Sequence, residues 1–94
     1  MVHIVLKHIP PALAGAGWTL SADSKVISKP FRFDTFAEAM AFMVRMSYAI
    51  EAMDHHPEWT NIYNRVGVRL TTHDAGGLTQ KDIDLAFAME KATK

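Results

Sequence analysis

The stretch "TFAEAMAFMVRMSYAIEAMDHHP" (Thr35 to Pro57) organises the whole reading, because both its ends are signalled and its middle is periodic. Thr35 with Glu38 three residues later has the pattern of a capping box, in which each side chain can satisfy the other's free backbone N–H. Phe36, Met40, Met43, Ser47, Ile50 and Met53 recur every three or four residues, which predicts a core-facing helical stripe about five turns long. Pro57 confines His56 to extended backbone, so the helix is predicted to stop at about Asp54 or His55. That exit sets two histidines side by side, with Glu51 and Asp54 just before them.

Upstream, "GWTLSADSKVISKPFRF" reads as two short strands around a polar turn, with Ile27, Phe31 and Phe33 on one face by parity. Pro30 lacks an amide hydrogen, so it is expected at a sheet edge or a bulge. Before it, "PALAGAG" predicts no more than a short helical turn opened by Pro11. In the first ten residues Val2, Ile4 and Leu6 alternate like a strand until Pro10 and Pro11 end the pattern.

Downstream, Trp59 to Tyr63 is a short strand. "RVGVRLTTH" is a stronger one, turning Val66, Val68 and Leu70 one way and Arg65, Arg69, Thr71 and His73 the other. After the loop "DAGG", Thr79 caps a last helix with Asp82 and Asp84 in its first turn, where the helix dipole favours acids. The predicted fold is α+β: an antiparallel four-stranded sheet covered on one face by helices, in the order strand-strand-helix-strand-strand-helix.

Composition narrows the class. The chain has 94 residues, 49% of them apolar, which suits one domain spanning residues 1–94 with a single core. Ten basic residues balance ten acidic ones, so no positive field invites nucleic acid or an anionic membrane. There is no cysteine, hence no disulfide, thiolate ligand or thiol nucleophile. Lys7, His8 and the two prolines break the opening apolar run, which argues against a signal peptide, and no run reaches membrane-spanning length. A cytoplasmic location is expected.

The candidate chemistry gathers at element ends: Glu51, Asp54, His55 and His56 at the helix exit, His73 at the hairpin exit, Asp82 at the entrance of the last helix. Glu51 and His55 are one turn apart, so the carboxylate can orient the imidazole. Histidine both gives and takes protons near neutral pH. Each residue also has a plainer reading: the His pair as a solvated helix end, His73 as a surface histidine, Asp82 as dipole compensation, Trp59 as a packed aromatic. No HExxH pair, cysteine, serine elbow or phosphate-binding glycine loop is present, so no metal is expected.

Glu51-x-x-x-His55-His56-Pro57, an aromatic at Tyr63, then His73 and Asp82 resemble the pterin-4a-carbinolamine dehydratase family. "DHHPEWTNIYNRVGVRLTTHDAGGLTQKDIDLA" continues the resemblance, with "FRFDTFAEAMAFM" and Trp18 upstream. The resemblance implies a hydro-lyase that removes water from a 4a-hydroxytetrahydropterin, such as 4a-hydroxytetrahydrobiopterin, in pterin recycling. It implies no metal, redox cofactor or covalent intermediate. His55 and His73 would be acid and base, and His56 would mainly hold the pterin. Glu51, Asp54 and Asp82 would orient histidines or meet the ring's polar edge, with Trp59 and Thr72 as pocket walls. Family members form homodimers or homotetramers, and some animal members serve a homeodomain transcription factor as dimerisation cofactor. A non-catalytic interaction module and a pterin-binding protein without turnover are therefore the alternatives. Members usually carry a fuller amphipathic helix before the Trp18 position; the Pro-Pro and Gly-Ala run here departs from that.

Overall fold

The computed structural model describes residues 4–93; Val2 of the alternating N-terminal run lies outside them. Short helix α1 (Pro11–Gly15) leads into strands β1 (Thr19–Leu20) and β2 (Ile27–Arg32), then helix α2 (Phe36–Met53). Strands β3 (Glu58–Ile62) and β4 (Arg65–Leu70), a 3-10 turn (His73–Ala75) and helix α3 (Gln80–Ala92) complete the chain. The four strands form one antiparallel sheet in the order β1-β2-β4-β3. The expected α+β architecture is therefore present, with α1 as the short turn that the prolines and glycines allow. Among the described residues no helix is long and apolar enough to cross a membrane.

Parity decides which strand residues meet the helices. Ile27 and Phe31 of β2 and Val66, Val68 and Leu70 of β4 are buried, while Arg65 and Arg69 between them are exposed. Phe42 of α2 packs its ring 5.0 Å from Phe31 and 5.1 Å from Phe33. Leu85, Ala86 and Met89 of α3 join the same buried cluster. Lys29 also points to the helical face, where its Nζ donates to Glu90 Oε2 at 2.6 Å and lies 4.6 Å from the centre of the Phe31 ring. Trp18 Nε1 donates to the same Glu90 oxygen at 3.0 Å, tying α3 to the start of the sheet.

Pro30 pairs with Gly67 of β4 on one side. On its other side β1 has already ended, since its register covers only Ser28 and Ile27. Pro30 is thus at a local edge within an interior strand, where the missing N–H costs nothing.

The buried face of α2 differs from the predicted stripe. Ala39, Phe42, Met46 and Ile50 are buried, with Met43 and Met53 half-buried. Phe36, Met40 and Ser47 are exposed instead. The apolar residues run nearly all round this helix: Phe36, Met40, Val44 and Tyr48 form a second, outward row at intervals of four. Spacing alone fits either row, and close approach to the sheet selects the one containing small Ala39, which is fully buried.

Candidate active site

Helix α2 begins as read, with the Glu38 amide donating to Thr35 Oγ1 at 3.1 Å and Glu38 Oε2 accepting from the Asp34 amide. It ends one residue earlier than the first predicted stop. Asp54 takes the left-handed conformation (φ 50°, ψ 45°) as C-cap, an arrangement Asp tolerates better than most residues. That reversal throws His55 off the helix and back towards α3. Glu51 stays exposed on the last turn. The carboxylate that holds His55 is Asp82, not Glu51.

His55 Nε2 and Asp82 Oδ1 are 2.6 Å apart, and Asp82 is fully buried. The other carboxylate oxygen, Oδ2, accepts the Thr79 amide at 2.9 Å and the Thr72 hydroxyl at 2.7 Å. Asp82 lies at N3 of α3 and Thr79 at its N-cap, so one acid both starts the helix and reaches the histidine. As a carboxylate Asp82 can only accept, so the hydrogen in this contact is carried by His55 Nε2. His55 Nδ1 has no protein partner, yet among the described residues every fully buried side-chain polar atom has one. Nδ1 is therefore the ring nitrogen that meets solvent.

It does so in a cleft of about 230 Å³ lined by Asp54, His55, His56, Thr71, Thr72, His73, Asp74 and Lys81. His73 arrives there on the 3-10 turn, which is clipped shut by a bridge between Thr72 and Gly77 and exits through Gly76 at φ 71°. His55 is nearly buried, whereas His56 and His73 are exposed. Five of the expected site residues, His55, His56, His73, Asp54 and Thr72, thus share one opening, with Asp82 bonded to His55 and Thr72 behind it. Trp59 is half-buried and packs against the core, lining a separate depression with Pro57 and Glu58. Thr71, Asp74 and Lys81 were not singled out by spacing, and nothing but their nearness to Thr72 and Asp82 marks them. Among the described residues no group of three or more His, Asp or Glu side chains is arranged to hold a metal ion.

The family model described as pterin 4 alpha carbinolamine dehydratase matches residues 5–92. The chain belongs to this family. A relative from Rhizobium rhizogenes, provisionally named a pterin-4-alpha-carbinolamine dehydratase, is 54% identical over 89% of this chain and 84% of its own length. One from Rhizobium etli with the same name is 56% identical over 85% and 80%. Among solved structures, a transcriptional coactivator/pterin dehydratase from Brucella melitensis superposes with a TM-score of 0.81 at 38% identity, covering 88% of this chain and 90% of that one. A pterin dehydratase-like RuBisCO assembly factor of the alpha-carboxysome shares the fold at a TM-score of 0.70 and 18% identity, over 81% and 88% of the two chains. In this member of the pterin carbinolamine dehydratase family, the cleft gathers the spaced histidines that carried the sequence resemblance.

Proposed function

We propose that this cleft dehydrates a 4a-hydroxytetrahydropterin, such as 4a-hydroxytetrahydrobiopterin, to the quinonoid dihydropterin and water. The observation that carries the reading is the 2.6 Å contact from His55 to a buried, three-donor Asp82. It commits one imidazole nitrogen to the protein and leaves the other for proton transfer. In the reaction the N5–H proton leaves to a base, and the N5 electrons form the C4a=N5 bond as the C4a–O bond breaks. An acid protonates the departing hydroxyl, so one water is released. His55, through Nδ1, and His73 divide these two proton transfers between them. After each turnover a proton must pass from the new imidazolium back to the other ring, and the exposure of His73 gives it access to solvent for that exchange. His56, exposed on the same cleft, holds the pterin. Asp54 and Thr72 border the space the ring would occupy, whereas Glu51 and Trp59 act from outside it.

Purified protein should speed dehydration of a 4a-hydroxytetrahydropterin above its spontaneous rate, and exhaustive chelation should leave that rate unchanged. A rate equal to the spontaneous one would reject catalysis and favour a pterin-binding protein or an interaction module. Stoichiometric metal with chelator-sensitive activity would instead overturn the imidazole mechanism.

The chain is also proposed to work as a homodimer or homotetramer in the cytoplasm. β3 is an edge strand, and β2 is open beyond the end of β1, so backbone groups are available for pairing with another copy. Light scattering at tens of micromolar, roughly where stable interfaces hold, should report a dimer or larger. A monomer at that concentration would rule the assembly out.

A further inference from the structure

The Asp82 network continues beyond the groups that face the cleft. Thr72 Oγ1 lies 2.7 Å from Asp82 Oδ2 and also 2.7 Å from Thr79 Oγ1, and both threonines are buried. A hydroxyl has one hydrogen to donate. Thr72 spends its hydrogen on the carboxylate, which has none to return, so the hydrogen between the two threonines must come from Thr79. The chain therefore has a single direction: Thr79 hydroxyl to Thr72 hydroxyl to Asp82, with His55 Nε2–H donating from the far side.

We propose that Thr79 and Thr72 are positioning residues for catalysis, holding Asp82 as a pure acceptor and so holding His55 in the Nε2–H tautomer with Nδ1 free. This rests on the dehydratase reading for its consequence, but not for its geometry. Thr79 makes no contact with the cleft, so any effect it has on the reaction must travel through Thr72 and Asp82. Without the Thr79 hydrogen, Thr72 Oγ1 loses its donor, and the Thr72 hydroxyl is freer to turn away from Asp82. Without the Thr72 hydroxyl, Oδ2 keeps only the Thr79 amide, and the carboxylate is less firmly aimed at His55.

The test combines side-chain nitrogen NMR of ¹⁵N-histidine protein with steady-state kinetics on Thr79→Val, Thr79→Ser and Thr72→Val. Wild type and Thr79→Ser should show His55 as the Nε2–H tautomer. Both valine variants should show a mixture of tautomers. They should lose kcat by roughly 10- to 100-fold, the scale seen when the outer partners of a ligand histidine are removed, with KM little changed in Thr79→Val, whose side chain lies off the cleft. Thr79→Val also touches the N-cap of α3 and could loosen the helix, which is why Thr72→Val, outside that helix, is the decisive variant. An Nδ1–H tautomer in wild type would overturn the proposal, as would unchanged tautomer and kcat in a folded Thr72→Val. The tautomers are read without pterin. A protein with no dehydratase activity but with the predicted tautomer shifts would sink the functional reading and leave the hydrogen-bond chain standing.

Discussion

Asp82→Asn should keep the fold and lower kcat by roughly 10²–10⁴-fold, the upper end being the cost of a wrongly set histidine tautomer in a Ser-His-Asp triad. The reason is geometric. The Thr79 amide is an obligatory donor at 2.9 Å from Oδ2, so the asparagine must place its carbonyl oxygen there. Its NH2 then occupies the Oδ1 position and faces His55 Nε2, which has to become an acceptor. The hydrogen moves to Nδ1, the nitrogen that the reaction needs free. Asp82→Ala is a harsher change, leaving buried donors without partners, and should cost about 3–5 kcal/mol of stability. Urea unfolding measured beside the kinetics separates the two effects. An Asp82→Asn protein with native stability and native kcat would falsify the proposed role of the carboxylate.

The second large effect concerns the pair of proton carriers. His55→Ala and His73→Ala should each reduce kcat by roughly 10²–10⁴-fold with a modest change in KM, as expected for groups that act on a moving proton. The double variant should fall to near the spontaneous rate, and by less than the product of the single losses, because two groups that form one unit cannot each be lost in full. His56→Ala should chiefly raise KM. If His73→Ala kept full kcat while His56→Ala abolished it, the division of labour would be reversed even with the chemistry intact. Removing His73 should leave stability nearly unchanged, since it is exposed on its turn; removing His55 should not, because Asp82 would lose its buried partner.

Local signals were the legible part. Thr35 and Glu38 marked the start of α2, Pro57 bounded its end, and the alternation in "RVGVRL" gave the buried face of β4. The phase of α2 was not legible, because Phe36, Met40 and Val44 are as apolar as the residues that face the core. The role of Asp82 was half legible. Its place in the first turn of α3 is a local fact, but its bond to His55 crosses 27 residues of sequence, and no spacing rule reaches that far. Glu51 looked like the partner of His55 only on the assumption that the helix continued to it. The left-handed Asp54 breaks that assumption, and a positive φ at a non-glycine residue leaves almost no trace in composition.

The pairing of β2 with β4 also governs the order in which the molecule can be assembled. Every residue between Arg32 and Arg65 must be looped out before that ladder can close, whereas β3 and β4 meet across a turn of two residues. Loop closure costs entropy before it returns any contact, so distant pairings form late. The β3–β4 hairpin and the first turns of α2 should therefore be the early structure on the folding route. The link between His55 and Asp82, which needs α2, the hairpin and α3 all in place, should be among the last contacts to form. The amide of Thr79, bonded to Asp82, then becomes a natural reporter in hydrogen exchange. Its protection should rise only when the chain is complete, and should be lost whenever α3 lifts away.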